Sequence, residues 1–411
     1  MIDPKEGLYE HAQFDGLRNN VPADRMGLND LTVATNIDID DSKRATRRKG
    51  HSAAVVAGAF KSLWSNGTVA LAVKSETSLV LISPTFTEKT LRTGLTPGLD
   101  MSYTAPVTAV YYSNGVETGV VQDGLSRTWG LEPPAYQPAA SVVGGILPAG
   151  RYQFTVTYLR ADGQESGTGR AGYIDLAVAG GISLSGIPVS ADAGVVDKCL
   201  YFSKNNGETL YRAGTVANSA TVFSYYADGP GTVPLRTQHL FDAPAGQLVD
   251  TFGGARALVA SGDTLYYSEP YALELFDLRK NFRLPHPITM VAALDNGVYV
   301  GTDNGIMWFD GTVPEKWEYV PRLAYGAIRG AAAYCSRDMV LDGNGNKDVV
   351  VFATKQGLCV GEDGGNITNL TQARFAYPTQ ERGAAVIRRH RGMVQGVFSL
   401  QGAETAGNLS T

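Results

Sequence analysis

The sequence predicts an all-β fold: a β-propeller of about six blades, range about five to seven, interrupted by an inserted immunoglobulin-like β-sandwich. Three observations predict it. The 411 residues include 48 glycines but only 18% charged residues, a composition typical of many tight turns rather than of helices. Short apolar strands recur between Asn-Gly and Asp-Gly turns. The spacing of these turns is broken once, by about one domain length.

Each recurring unit is predicted to be a β-hairpin, because Asn-Gly and Asp-Gly favour the turns that join two antiparallel strands. From the first unit to the second is 48 residues, and the later intervals are 34, 50 and 46 residues. These values lie near the ~40–50 residues of a four-stranded propeller blade. The units begin near Asn66, Asn114, Gly262, Asn296 and Asn346, with a weaker, truncated one near Gly392.

The break in the period falls between Asn114 and Gly262, an interval of 148 residues. The excess of about 100 residues is the size of one immunoglobulin-like sandwich. Within residues 134–238, the stretch YQFTVTY alternates from Tyr152 to Tyr158 as a half-buried strand should. YIDLAV, ISLSGIPV, KCLYFSK and ATVFSYYAD are further predicted strands. The alternative is two unrelated all-β domains in tandem.

The predicted organisation has five parts. Because an unfinished ring leaves open sheet edges, the N-terminal stretches LTVATNIDID and GHSAAVVAG are expected to complete the last blade, whose hairpin offers only two strands. The parts are residues 1–50, an N-terminal arm with closing strands; 51–133, the first propeller part; 134–238, the inserted sandwich; 239–400, the second propeller part; and 401–411, a polar tail.

Composition excludes several classes of protein. The net charge of −5 argues against a chain that binds DNA by overall charge. No apolar run reaches the ~18–20 residues of a membrane span, and the acidic, mixed N-terminus resembles neither a signal nor a transit peptide. Cys199, Cys335 and Cys359 lie far apart without a CxxC pair. This argues against a disulfide framework or a zinc site and suits a reducing compartment.

No catalytic constellation is predicted, and no enzyme or cofactor is expected. The chain has no GxSxG elbow, HExxH motif or P-loop. Its histidines are scattered and lack spaced partners, so a surface or structural role is expected for each. They are His11, His51, His239, His286 and His390.

One turn contains alternating oxygen ligands of the kind that calcium prefers. It runs Asp342-Gly-Asn344-Gly-Asn346-Lys-Asp348 and lacks the distal glutamate of an EF-hand. A plain hairpin turn is the simpler interpretation, and calcium remains the alternative.

A basic cluster follows Asp38, Asp40 and Asp41. It could contact nucleic acid, but no aromatic residues interleave with it, as single-strand binding would require. The favoured interpretation is a solvated strand edge whose arginines pair with aspartates within an assembly. The cluster comprises Lys43, Arg44, Arg47, Arg48 and Lys49.

Aromatic residues concentrate at predicted strand ends. They could form a platform for sugars, but packing between blades is the favoured interpretation, because propeller sheets contact each other through large side chains. The residues are Trp64, Trp129, Trp308, Trp317, Tyr266 and Tyr267.

Three stretches of the sequence carry a resemblance to a known family. A Gly/Asn-rich lead runs into the strand Ala34–Asp40 and then the turn Arg47-Arg48-Lys49-Gly50. This arrangement resembles the N-terminal segment of tail nozzle and tail hub (stabilisation) proteins of short-tailed bacteriophages. LPAGRYQFTVTYLRADGQESG is similar to the fibronectin-like insert common in phage tail proteins, and residues 255–270 followed by 297–311 are similar to the propeller of such hubs.

The resemblance implies a structural virion protein assembled in the host cytoplasm. Such proteins form a ring, usually of six copies, below the portal and adaptor. The ring continues the DNA channel and gates it until ejection, and viral DNA passes without specific binding. The implied partners are further copies of the chain, the adaptor (head-to-tail) protein, and tail fibre or tip proteins. No membrane insertion is expected.

Acidic hairpin tips are the candidate channel lining, because like charge keeps DNA from adhering to a wall. They are Asp303, Asp310, Glu362 and Asp363, while Arg44, Arg47 and Arg48 are candidate assembly contacts. The main alternative is a receptor- or glycan-binding tail module. A propeller hydrolase is the weakest hypothesis, because the S-x-D-x-G-x-x-W boxes of sialidases are missing.

Overall fold

The computed structural model describes residues 13–40, 42–47, 56–226, 229–340, 348–375, 380–390 and 393–401. These residues form an all-β fold, as predicted. The helical elements in these ranges are single 3-10 turns at Ala23–Arg25, Pro314–Lys316 and Arg337–Met339. The chain forms two compact units, residues 58–284 and residues 1–57 together with 285–411.

The second of these units begins with two small sheets. The strands β1 (Gly16–Leu17) and β2 (Asp30–Leu31) form a parallel pair, and β3 (Ile37–Ile39) and β4 (Ala45–Arg47) form an antiparallel hairpin. The hairpin turn is closed by Asp40, whose Oδ1 accepts the Arg44 N–H at 2.9 Å. Local pairing therefore satisfies the backbone of β3.

The unit of residues 58–284 opens with two four-stranded antiparallel meanders, in which each strand pairs with its neighbours in sequence. The first comprises β5 (Phe60–Ser65), β6 (Ala70–Lys74), β7 (Ser78–Ile82) and β8 (Glu88–Arg92). The second comprises β9 (Ser102–Thr104), β10 (Val110–Ser113), β11 (Thr118–Gln122) and β12 (Leu125–Arg127).

Asparagine side chains build the turns of these meanders. Asn66 and Asn114 each use Oδ1 to accept the backbone N–H groups two and three residues further along, at 2.7–3.0 Å. Gly67 and Gly115 follow them with φ of +87° and +94°, a region that glycine enters without steric cost. The Asn-Gly pairs therefore join paired strands, as the sequence predicts.

After β12 the chain forms seven strands in two sheets. The sheet orders are β13-β16-β19 and β15-β14-β17-β18, all antiparallel. The two sheets share one hydrophobic core. The strands are β13 (Ala139–Leu147), β14 (Gly150–Arg160), β15 (Gly172–Leu176), β16 (Gly180–Ser185), β17 (Val195–Ser203), β18 (Leu210–Ala217) and β19 (Val222–Tyr225).

The central strand β14 differs from its prediction in one respect. Tyr152 and Phe154 point into the shared core as expected, but Thr155 and Thr157 on the opposite face are also buried. A loop covers that face, where Thr157 donates a hydrogen bond to Glu165 at 2.5 Å. The middle of strand β14, around Thr155 and Thr157, is therefore buried on both faces, rather than half-buried.

A third meander completes this unit. It comprises β20 (Leu248–Phe252), β21 (Arg256–Ser261), β22 (Thr264–Glu269) and β23 (Ala272–Arg283). It packs directly against the second meander through a common core. The hydroxyls of Thr104 and Thr251 lie 2.7 Å apart, and the Ser113 hydroxyl donates to the Gly246 carbonyl at 2.6 Å. The seven strands are thus a long excursion of the chain between two meanders that contact each other.

The excursion leaves and returns through one point, the neck, formed by residues 129–131 and 241–243. The Ala243 N–H donates to the Trp129 carbonyl at 3.3 Å, and the indole N–H of Trp129 donates to the Leu273 carbonyl at 2.9 Å. Gly130 has φ of +88°, and a Cβ there would lie 2.7 Å from the Glu274 carbonyl oxygen. The close approach of these backbones therefore requires glycine.

The remaining strands belong to the unit that contains β1–β4. A fourth meander is formed by β24 (Ile288–Leu294), β25 (Gly297–Thr302), β26 (Ile306–Asp310) and β27 (Glu318–Leu323). A fifth is formed by β28 (Ala327–Ser336), β29 (Asp348–Thr354), β30 (Gly357–Gly361) and β31 (Ile367–Asn369). They share a core that includes Tyr299, Trp308 and Phe352.

The last hairpin, β32 (Arg382–His390) with β33 (Met393–Gln401), extends the fifth meander to six strands. In the described part of the chain, it joins β28 through one parallel bridge, Arg329 to Arg382. Of residues 31–40, predicted to complete the last blade, Leu31 pairs with Leu17 of β1 and Ile37–Ile39 pair with β4. Most of the second predicted closing stretch, residues 50–58, lies outside the described residues, so closure by the N-terminus stays a prediction.

Replacing Gly130 by alanine should destabilise the protein more than the same change at Gly163. Both residues have φ of +88°, but nothing lies within 4 Å of a Cβ at Gly163. We expect a loss of about 1 kcal/mol for Gly163→Ala from backbone conformation, and about 3 kcal/mol for Gly130→Ala, where overlap adds to it. Urea denaturation of the two variants measures the difference, and equal losses would contradict the close packing at the neck.

Candidate functional site

A buried ion pair next to the neck joins the excursion to the second meander. Arg160 lies at the end of β14, and its side chain is only 4% exposed. Its Nη2 donates to Asp192 Oδ2 at 2.7 Å and to the Thr128 hydroxyl, and its Nη1 donates to Gln164 Oε1 at 2.6 Å. Because Thr128 follows β12 directly, this cluster, the Arg160 clamp, fixes the excursion to the meander before it.

The clamp holds its carboxylate in the charged form. Burial of Asp192 opposes ionisation, but hydrogen bonds from Thr128, the Gly194 N–H and Arg160 outweigh it, so the pKa of Asp192 lies below its usual value. A buried ion pair stabilises a fold only where further hydrogen bonds offset the cost of desolvation, and Thr128, Gln164 and the Gly194 N–H supply such bonds here.

A second arginine extends the polar network to the third meander. Arg127 donates to Gln164 Oε1 at 3.0 Å and lies 3.9 Å from Glu274 of β23. Glu274 also accepts the Tyr111 hydroxyl at 3.1 Å. The excursion and both neighbouring meanders are therefore linked through side chains around the neck.

A cavity of about 590 Å³ lies beside the neck. Its lining includes Glu132, Arg170, His239, Phe241 and Asp242. Burial, and secondarily the nearby Glu132 carboxylate, raises the pKa of Asp242. Among the described residues, no three His, Cys, Asp or Glu side chains come together as a metal site would require.

The structure divides the four candidate channel residues between two places. Asp303 lies in the β25–β26 turn, whereas Asp310 lies at the other end of β26, about 17 Å away for a five-residue strand. Asp363 accepts the backbone N–H of Asn296 at 3.0 Å, at the same end as Asp310. Asp310, Glu362 and Asp363 therefore share one end of these sheets, Asp303 lies at the other, and their role as channel lining stays a prediction.

The acidic side chains at that end also have structural partners. Asp310 accepts the Trp308 indole N–H at 2.9 Å, and Glu362 accepts a hydrogen bond from Arg337 Nε at 2.7 Å. Arg337 balances the charge of Glu362, so this residue contributes less to a negative surface than its sequence position suggests.

The basic cluster is partly paired within the chain. Lys43 contacts Asp15 at 2.7 Å, while the side chains of Arg44 and Arg47 are exposed on the β3–β4 hairpin. Arg48 lies outside the described residues. Arg44 and Arg47 are thus placed where a neighbouring subunit could reach them, and their role in assembly stays a prediction.

The possible calcium turn falls mostly outside the described residues, which exclude Asp342, Asn344 and Asn346. Asp348 opens β29 opposite Ser336 of β28, with an exposed side chain. Strands β28 and β29 pair on either side of this stretch, and both the hairpin turn and calcium binding stay predictions.

The aromatic cluster is core, not a platform. Trp129, Trp308, Trp317 and Tyr267 are buried. Trp64 and Tyr266 are partly buried against hydrophobic clusters. All six side chains therefore contribute to hydrophobic packing, which favours the packing interpretation over a sugar platform.

Sequence reasoning missed one anchor, the carboxylate of Asp30 in β2. Its side chain is 4% exposed and accepts hydrogen bonds from Arg18 at 3.1 Å, Arg374 at 2.7 Å and the Gly27 N–H at 3.1 Å. Burial opposes ionisation, but these donors prevail and lower the pKa of Asp30. Arg374 is 344 residues away in sequence, so no local pattern could have indicated the pair.

Comparisons with known proteins identify no family for this chain. No family model matches it, and no curated protein matches it. Solved structures with a similar course are the Neurospora crassa Pan2 WD40 domain (10% identity, 82% of this chain and 84% of that chain, TM-score 0.34), YCF48 from Cyanidioschyzon merolae (9%, 85% and 95%, 0.33), and BBS1N in complex with ARL6DN (11%, 87% and 95%, 0.31). These TM-scores are low, so the fold assignment rests on the sheets described above. In the described part of the chain, no helix is long and apolar enough to cross a membrane.

Removing Arg160 should destabilise the protein strongly. We expect Arg160→Ala to cost about 3 kcal/mol, because it leaves Asp192 half-buried without its cation. Arg283→Ala is the control: that side chain is 78% exposed in its pair with Asp263, and its loss should cost under about 1 kcal/mol. Urea denaturation compares them, and similar losses would show that the clamp contributes no more than a surface pair.

The Asp30 anchor should make stability depend on pH in the acidic range. Because its folded pKa is lowered, Asp30 stabilises the fold fully above the unfolded value of about 3.9 and loses this contribution as the pH falls through the folded pKa. Thermal unfolding of the wild type and Asp30→Asn between pH 7 and pH 2.5 tests this. The difference in melting temperature should shrink on acidification; a constant difference would contradict the assignment.

Proposed function

We propose that this chain is a structural subunit of a bacteriophage tail, of the nozzle or hub kind, which forms a ring that continues the DNA channel. Its partners would be further copies, an adaptor above and fibre or tip proteins below. Within this proposal the meanders are propeller blades, and the excursion is a fibronectin-like β-sandwich.

The observation that carries the proposal is the excursion itself. Two meanders pack on each other through Thr104 and Thr251, which are 147 residues apart in the sequence, while seven strands leave and return at one neck. This blade–insert–blade order is the organisation that the sequence resemblance implies for tail hubs. The packing of the two meanders is an observation separate from the sequence motifs, so it supports the resemblance independently of them.

Mechanical rigidity is a second support. A wall around DNA under pressure has to keep its parts in fixed positions, and the Arg160 clamp does this for the excursion with hydrogen bonds from Arg160, Arg127 and Thr128. The net charge of −5 also keeps DNA from adhering.

The oligomeric state in the presence of neighbouring virion proteins tests the proposal. We expect native mass spectrometry to find a ring, most simply of six copies, that docks on the purified adaptor. Electron microscopy of particles with this chain labelled should place it below the adaptor. A monomer, or a trimer that ignores the adaptor, would contradict the proposal.

Reversing charge at the candidate channel residues should slow DNA release. In particles that carry Asp303→Lys with Asp310→Lys, we expect normal assembly but slower ejection at low salt, with the difference lost at high salt as phosphate attraction is screened. Particles with Glu208→Lys, an exposed residue of the excursion, control for a charge change elsewhere. Ejection kinetics measured by DNA-dye fluorescence decide the outcome, and unchanged rates at low salt would remove these residues from the channel.

A further inference from the structure

The outer face of the four-stranded sheet in the excursion carries a polar groove at one edge. Its volume is about 470 Å³, and its lining includes Gly150, Arg151, Asp175 and Asn206. Arg151 of β14 pairs directly with Asp175 of the edge strand β15, so both side chains stand on the same face of the sheet. The opposite face is turned to the core.

A fixed ion pair forms the floor of this groove. Arg151 Nε donates to Asp175 Oδ1 at 2.8 Å and Nη2 donates to Oδ2 at 2.9 Å, a two-pronged geometry that fixes both groups. The side chains are 56% and 57% exposed, so they remain accessible to a ligand. Hydrogen bonding to Asp175 raises the pKa of Arg151 and lowers that of Asp175, and the pair stays ionised with no net charge.

An exposed aromatic ring adjoins the pair. Tyr173 lies two residues before Asp175 on the same face, and the Arg151 guanidinium stacks over its ring at 4.6 Å. The Tyr173 side chain is nevertheless 65% exposed. Unlike the buried tryptophans, this ring is held in a fixed orientation with much of its surface open to solvent.

The groove also offers unused hydrogen-bonding groups. Asn206 accepts the Arg151 backbone N–H through Oδ1 at 2.9 Å, which leaves its amide NH₂ as a donor. Nη1 of Arg151 is a further donor, and the remaining lone pairs of Asp175 are acceptors. Donors and acceptors therefore lie side by side next to an apolar ring.

We propose that this groove binds a neutral saccharide. A sugar ring presents neighbouring hydroxyls, which donate and accept at once, and a C–H face that packs on an aromatic ring. The balanced charge of Arg151 and Asp175 disfavours an anion such as phosphate, because the carboxylate repels it, and disfavours a cation for the opposite reason. This site does not depend on ring formation, and it lies apart from the tryptophan cluster.

Binding of the full-length chain to simple sugars tests the proposal. The probes are a neutral hexose, a 6-deoxyhexose and an N-acetylhexosamine, with sialic acid and glucosamine as charged comparisons, each examined by saturation-transfer NMR and titration calorimetry. We expect at least one neutral sugar to bind in preference to the charged ones. No binding of a neutral sugar at about 10 mM, or preference for a charged one, would overturn the proposal.

Variants locate the site. We expect Tyr173→Ala to weaken binding about tenfold, which corresponds to about 1.4 kcal/mol, whereas Tyr173→Phe keeps the ring and should bind almost as tightly as the wild type. Tyr271→Ala is the matched control, since that tyrosine is 90% exposed elsewhere in the same unit. Binding unaffected by Tyr173→Ala, or equally weakened by Tyr271→Ala, would overturn the assignment to this groove.

Discussion

The structure of residues 58–284 depends on one constraint. The seven strands of the excursion have to begin and end at the same point, so that the second and third meanders stay in contact with each other. Gly130 allows the backbones to approach, Trp129 anchors the start in the meander core, and the Arg160 clamp fixes the direction in which the excursion leaves. Each of these acts within a few residues of the neck. The two sheets further out are held to each other by their own core.

The neck is stabilised mainly by apolar packing, whereas the clamp consists of polar interactions. Aromatic packing around Trp129 supplies buried area, and the hydrogen bond from its indole N–H to the Leu273 carbonyl orients the ring in the meander core. The Arg160 guanidinium supplies direction, since its planar fork is satisfied in one orientation only. Losing the arginine therefore affects orientation and stability together, while losing aromatic area affects mainly stability.

Sequence patterns predicted the turns, the strands and the interruption, because these depend on local chemistry. Asn66 and Asn114 show this, since each closes its own turn. The alternation of apolar and polar residues around Tyr152 correctly predicted the core-facing side of β14. Thr157, on the opposite side, is buried by the loop that contains Glu165, and the periodicity of the sequence does not reveal that loop.

The candidate site was less predictable. Acidic residues at hairpin tips looked equivalent in sequence, but Asp303 and Asp310 lie at opposite ends of one strand. Asp30 with Arg374, and Arg160 with Asp192, are ion pairs between distant segments. In the sequence, Tyr173 looks like an ordinary strand residue. The pairing of β14 with β15 in the structure places Arg151 over its ring. Such partners are decided by tertiary packing, which a single sequence does not display.

The neck has a consequence for how such chains diversify. Because the Trp129 carbonyl and the Ala243 N–H lie within hydrogen-bonding distance, the two ends of the excursion are neighbours, and the meanders on either side already contact each other. An evolving gene could exchange the excursion for another module, or shorten it to a brief loop, without redesigning the sheets beneath. The clamp would be lost in that exchange, so a new module would need its own means of fixing orientation. Surface specificity could then change quickly while the supporting sheets remain constant.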